Sequence, residues 1–205
     1  MEMQSDSYLV LGSRSSAEIK VKGSRFIAFA IPVSNVDEAE AELASLKKRD
    51  YDATHHCSAF RIGVNGTLFR YSDDGEPNSS AGLPIYRQIE SRLLTDTLVV
   101  VVRYYGGTKL GTGGLVRAYG EAASNALDLA KVEEIIPRHL VEVVFSYDDT
   151  SGAMHAIHQF DIVIQETRYS DVTLLILAVR TAQSVAFEAA FIEACSGRGW
   201  VRTLD

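Results

Sequence analysis

The stretch LVVVVRYYGGTKLGTGGLVRAYGEA, residues 98–122, decides the fold. Leu98 to Val102 is an unbroken and largely β-branched run, which suits a central strand covered on both faces rather than an edge strand. It opens into GGTKLGTGG, and six of the chain's fifteen glycines lie between Gly106 and Gly120. Beyond the loop, Leu115, Ala118, Ala122, Ala126 and Leu129 recur at helical spacing, a stripe small enough to let a helix approach its neighbour closely. The transition leaves backbone amides accessible. Glycines without Cβ admit a ligand to the main chain, the first N–H groups of the helix are unpaired, and its dipole favours an anion. Arg103, Lys109 and Arg117 add positive charge. The loop is not a Walker A sequence, because Thr108, Lys109 and Leu110 stand where Gly-Lys-Ser/Thr is needed, and Val116 takes the place of the third glycine of a dinucleotide fingerprint.

Upstream, IKVKG and SRFIAFAIPV alternate apolar with polar residues and meet at Gly23, which predicts a hairpin. Asn35 caps a helix with Glu38 three places on, and Val36, Ala39, Leu43 and Leu46 form its buried stripe up to about Arg49. HHCSAFRIG and TLFRYSD read as two more strands turning at Asn65-Gly66, giving ββαββ. The polar SDDGEPNSSAGLP precedes a helix over IYRQIESRLL, with Ser80 as its cap. Downstream, Pro137 breaks the pattern. LVEVVFSY, SGAMHAIHQF, DIVIQE, DVTLLILAV, SVAFEAAFIEA and WVRTL then run βαββαβ, the split-βαβ ferredoxin-like arrangement. The expectation is an α+β protein of two domains, 1–136 and 137–205, meeting near residues 131–139 behind an N-terminal tail.

The 205 residues are 46% apolar and 23% charged, the balance of an ordinary globular protein. No apolar run approaches the roughly 18 residues that cross a bilayer, and MEMQSDSYLV lacks the features of a secretory leader, so a cytoplasmic location is expected. Cys57 and Cys195 are read as core thiols. The net charge of −7 argues against a broad grip on polyphosphate. Up to Arg138 there are 16 basic and 18 acidic residues, and beyond it 4 and 9, which places any anion site in the first part.

Three constellations can carry chemistry. Arg103, Tyr104, Tyr105, Gly106, Gly107, Lys109, Gly111, Thr112, Gly113, Gly114 and Arg117 form a candidate anion or RNA site, with Tyr104 or Tyr105 stacking on a base. In YDATHHC, His55 and Cys57 face one side of a strand and His56 the other. Hydrogen-bonded histidines are therefore expected there rather than a metal site, and Cys57 has only strand adjacency to suggest a reactive thiol. In SDDGEP, Asp73, Asp74 and Glu76 offer oxygen ligands or acid–base groups, although turns attract the same residues. No cofactor and no metal are expected. His155 and His158 are read as surface or packing residues.

YDATHHCSAFRIG, YSDDGEPNSSAGLP and VVVVRYYGGTKLGTGGLVRAYGEA, in that order across residues 51–122, together resemble the IMPACT family in its bacterial YigZ-like branch. The string from Arg103 to Gly107, with Leu110 and Gly111, carries the likeness most specifically. Asn78, Ser79 and Ser80 depart from the small and Gly/Thr residues that the likeness leads one to expect. The resemblance implies an N-terminal domain like the second domain of a small-subunit ribosomal protein, and a C-terminal domain like the fifth domain of elongation factor G. It also implies a translation-associated or stress-response regulator that contacts RNA or the ribosome, with no catalytic reaction. The eukaryotic relatives regulate an amino-acid-starvation kinase through a further N-terminal domain for which this chain has no room, so kinase regulation is not expected.

The leading expectation is a non-enzymatic regulator offering a basic, amide-rich groove to structured RNA, the ribosome or a translation-related protein. One alternative is a metal-assisted enzyme acting on a phosphorylated small molecule, with His55 or His56 moving the proton. It requires the HHC strand, the acidic turn and the glycine loop to meet at one pocket. Another is an acidic protein-binding module built on the C-terminal sheet.

Overall fold

A computed structural model of the protein describes residues 7–204 and divides them into two compact units, Ser7–Ile135 and the chain from Ile136 onward. Most of the segment read for a leader, residues 1–6, lies outside the described residues.

The first unit contains β1 (Tyr8–Leu11), β2 (Ser15–Val21), β3 (Ser24–Pro32), α1 (Val36–Arg49), β4 (His55–Ile62) and β5 (Leu68–Ser72). It continues with α2 (Gly82–Ser91), β6 (Thr97–Tyr104), α3 (Thr112–Leu129) and β7 (Val132–Ile135). Five strands form an antiparallel sheet in the order β2-β3-β6-β4-β5, with β6 at its centre. The apolar run of β6 is explained by burial on both faces. Val99 and Val101 join the core beneath α2 and α3, whereas Leu98, Val100 and Val102 join the core beneath α1. Each such side chain contributes roughly 1.5–3 kcal/mol of burial free energy.

Local chemistry sets the boundaries. The β2–β3 turn is two residues, Lys22 and Gly23, both with positive φ, as a tight primed turn demands. At α1 the Glu38 amide donates to Asn35 Oδ1 at 2.9 Å, and Glu38 in return accepts from the Ser34 amide at 2.7 Å. Two turn readings need correction. The β4–β5 connection is a five-residue loop, because Ile62 pairs with Leu68. Gly63 and Gly66 take the positive φ, and the Arg61 guanidinium fills the loop by donating to Gly66 O at 3.1 Å. Ser80 does not cap α2: its hydroxyl donates to Pro77 O, and the cap comes from Asp73, as described below.

The N-terminal tail holds a further difference. β1 pairs antiparallel with β7, Tyr8 opposite Ile135 and Leu11 opposite Val132, so part of the expected junction is a strand of the first unit.

The second unit contains β8 (Arg138–Phe145), α4 (Thr150–His158), β9 (Ile162–Tyr169), β10 (Thr173–Arg180), α5 (Ser184–Ala194) and β11 (Trp200–Leu204). The sheet order β11-β8-β10-β9, all antiparallel, is the split-βαβ topology read from the sequence. One sheet face packs Val141, Val143, Leu175 and Leu177 against Phe187, Phe191 and Ile157 of the helices. No helix among the described residues is long and apolar enough to cross a membrane.

Candidate functional site

The end of the central strand builds the site. Pairing in the sheet sets Arg103 on β6 opposite His55 on β4 and opposite Phe26 on β3. Ser72 ends β5, and the chain then reverses through Asp74 and Gly75, both with positive φ, with the Glu76 amide donating to Asp73 O at 2.9 Å. The reversal places Glu76 beneath the sheet end. There Arg103 Nη1 donates to Glu76 Oε1 at 2.5 Å and the Tyr119 hydroxyl of α3 donates to the same oxygen at 2.7 Å. Glu76 and Arg103 are almost wholly buried, their side chains 4% and 5% exposed.

His55 stands beside this pair. Its Nδ1 lies 2.8 Å from the carbonyl oxygen of Asp74. A carbonyl only accepts, so Nδ1 carries a proton and Nε2 is the ring nitrogen turned toward Glu76. Nε2 is 3.9 Å from Glu76 Oε1. A cavity of about 520 Å³ is lined by His55, Glu76 and Arg103 together with Lys109, Gly111 and Thr112. That volume falls within the roughly 300–1,000 Å³ of small-molecule sites.

Two hydroxyls hold the start of the loop that borders the cavity, and Leu110 packs its far end on the core. The Tyr105 amide donates to Thr54 Oγ1 at 3.0 Å and the Gly106 amide to Ser24 Oγ at 3.1 Å. From Gly107 to Gly113 every residue except Leu110 is exposed. Gly111, at φ 71 and ψ 164, precedes α3 in a conformation that side-chain-bearing residues rarely adopt. The amides of Thr112, Gly113 and Gly114 begin the helix, where no intrahelical carbonyl reaches them. Lys109 makes no ion pair among the described residues. The arrangement can hold an anion against amides and one ammonium group, beside the imidazole of His55.

Several sequence candidates lie elsewhere. Tyr104 projects from the opposite sheet face, its hydroxyl 3.4 Å from both Asp50 and Asp52 and its ring 4.4 Å from the Arg25 guanidinium. Arg117 lines a separate hollow of about 200 Å³ with Lys22 and Glu121. Arg103 supplies no free charge, since Glu76 neutralises it. His56 is buried on the α1 side with Nε2 unpartnered, and burial holds its pKa below the ordinary value.

The two aspartates serve the turn. Asp73 accepts the amides of Ser79, Ala81 and Gly82 at 2.8–2.9 Å and so caps α2 from eight residues away. Asp74 accepts the His56 amide at 2.7 Å and Lys47 Nζ at 2.9 Å. These partners outweigh its burial and hold the carboxyl below the usual range. Among the described residues no three His, Cys, Asp or Glu side chains gather so as to hold a metal ion.

Tyr119, Thr54 and Ser24 were not singled out from the sequence. Tyr119 did carry a signal, because a tyrosine on the buried Ala/Leu face of α3 needs a partner for its hydroxyl.

Cys57 Sγ donates to Asp73 O at 3.0 Å, and burial pushes its pKa up to about 12, so the group is a thiol at neutral pH. Iodoacetamide is therefore expected to spare Cys57 in the native protein and to modify it after urea unfolding, as peptide mass mapping will show. Rapid native labelling of Cys57 would contradict the burial.

Fold and cavity together define a two-unit α+β protein with a glycine-loop pocket. Residues 22–127 match the Impact N-terminal domain, and residues 143–198 match a domain of unknown function (DUF1949). The chain is 33% identical over 196 residues to the IMPACT family member YvyE of Bacillus subtilis, covering 96% of this chain and 90% of that one. It is 33% identical over 186 residues to the family member YigZ of Escherichia coli, covering 90% and 91%. A crystal structure described as a hypothetical protein superposes with a TM-score of 0.67 at 31% identity, covering 97% of this chain and 98% of that one. The chain belongs to the IMPACT family.

Proposed function

We propose that the protein is a translation-associated regulator, without a catalytic reaction, that binds phosphate groups of structured RNA or of the ribosome at the glycine-loop cavity of its first unit. The observation that carries this reading is the meeting of Lys109, Gly111 and Thr112 at the start of α3 on one cavity, with Lys109 in no ion pair among the described residues. Tyr105, 47% exposed at the rim, offers a ring face for a base. The likeness of the two units to a ribosomal-protein domain and to the fifth domain of elongation factor G belongs to the same reading. Few cations serve the cavity, so specificity comes from amides and shape more than from net charge.

Binding of a structured RNA is expected to weaken as salt rises, and Lys109→Ala should flatten the slope of log K against log salt by about 0.7–0.9. Arg117→Ala, which alters a different hollow, should leave the slope unchanged. Absent or salt-independent binding would remove this reading.

One observation favours a second reading. The HHC strand, the acidic turn and the glycine loop do reach one cavity, through His55, Glu76 and Lys109. An enzyme acting on a phosphorylated small molecule needs that convergence, though Asp73 and Asp74 are engaged in the turn and are not its ligands. A turnover screen over phosphorylated metabolites tests it, with His55→Gln as the control.

A further inference from the structure

We infer that β5, the outer strand of the five-stranded sheet, is a pairing edge for a second copy of this chain, the two strands running antiparallel about a two-fold axis at Arg70. The inference is independent of the phosphate reading, since no residue of β5 lines the glycine-loop cavity.

The strand is open where other edges are guarded. β5 pairs with β4 on one side, and among the described residues the backbone of Leu68–Ser72 has no partner on the other. All five residues are exposed, and three are large and apolar: Leu68 at 50%, Phe69 at 48% and Tyr71 at 40%. No proline or bulge interrupts the strand, and its one charge, Arg70, is paired with Glu40 at 2.7 Å. The opposite edge, β2, turns Ser16, Glu18 and Lys20 to solvent, and the outer strand β9 of the second unit carries Glu166 and Arg168 and meets β10 through a register shift. Unpaired charges and bulges of this kind discourage edge pairing, and β5 lacks both.

A row of free N–H and C=O groups is completed by another strand, and the side chains of β5 suit its own copy. Phe69 and Tyr71 flank Arg70 and share the α2 face, their rings 4.8 Å and 6.1 Å from that of Tyr86. A partner strand centred on Arg70 sets Phe69 opposite the partner's Tyr71 and Tyr71 opposite the partner's Phe69, aromatic pairs of the kind that stabilise sheets. On the α1 face Leu68 falls opposite the partner's Ser72. Ser72 lines a largely apolar hollow of about 350 Å³ with Leu43, Ala44 and Phe60, so each copy brings Leu68 beside the hollow of the other. The two-fold also sets Arg70 opposite the partner's Arg70, a repulsion that the exposed Glu40 of each copy offsets, giving alternating charges that match themselves. A five-residue strand falls short of the roughly 800 Å² per partner of a stable interface, so the dimer is expected to be weak, with a dissociation constant in the micromolar range.

Sedimentation equilibrium of the full chain, free of nucleic acid and at rising protein concentration, tests the inference. The mass is expected to climb from monomer to dimer across the micromolar range. Leu68→Lys, which spares the rings stacked on Tyr86, should weaken association about tenfold or more while melting like the parent protein. Arg70→Glu and Glu40→Arg each gather like charges at the two-fold and should be monomeric alone, yet pair one to one when mixed. No effect on the isolated fold produces that result. A chain that stays monomeric up to about 1 mM overturns the inference. So does a dimer that survives Leu68→Lys undiminished, because it would form elsewhere on the chain, or a mixture of the two charge variants that stays monomeric.

Discussion

Replacing Glu76 with alanine is expected to cost the first unit about 3–5 kcal/mol, because it strands the buried Arg103 guanidinium without its counter-charge. The same change removes the carboxylate acceptor of the Tyr119 hydroxyl. Contrasting variants separate charge from volume. Glu76→Gln keeps an acceptor for both donors and should lose less, while Glu76→Leu combined with Arg103→Met removes both charges and should recover much of the loss. Urea titration followed by far-UV circular dichroism reads the effect. Trp200, the chain's one tryptophan, lies in the second unit, so its fluorescence reports that unit instead. A cost below about 1 kcal/mol for Glu76→Ala would mean that the pair is solvated rather than buried.

Gly106→Ala is expected to be the most damaging single-methyl change in the loop. A Cβ at Gly106 would stand 1.9 Å from the carbonyl carbon of Gly23, 2.1 Å from its oxygen and 2.3 Å from the Ser24 nitrogen. All three atoms are backbone, so no side chain can turn aside. The β2–β3 turn and the glycine loop must separate, which also breaks the Gly106 amide bond to Ser24 Oγ. The expected loss is about 3 kcal/mol or more, with weakened phosphate binding because the cavity wall detaches. Gly113→Ala is the control, since nothing lies within 4 Å of a Cβ there and the residue is in the first turn of α3. It should stabilise the protein by about 0.5–1 kcal/mol. Thermal melts of the two variants carry the comparison, and a Gly106→Ala protein that melts like its parent would contradict the close packing of these turns.

Periodicity made the core elements legible. The apolar run of β6, the Asn35 cap of α1 and the βαββαβ order of the second unit all rest on residues close together in the chain. Partners distant in sequence were not legible. β1 and β7 are four residues each and pair across more than a hundred positions. The carboxylate of Asp73 caps a helix that local reading gives to Ser80. Arg103 was counted as a free cation because nothing local reveals that Glu76, 27 positions away, neutralises it. Tyr104 is a different case, for strand alternation alone sets it on the opposite face from Arg103 and Tyr105.

The account depends most on the 107–114 amides being free to receive an anion. Amide chemical-shift mapping of the full chain during titration with adenosine monophosphate tests this directly. Saturable shifts are expected at Lys109, Gly111 and Thr112, with Gly113 beside them in the first turn of α3. Saturation with those resonances unmoved, or with shifts confined to the sheet of the second unit, would contradict it.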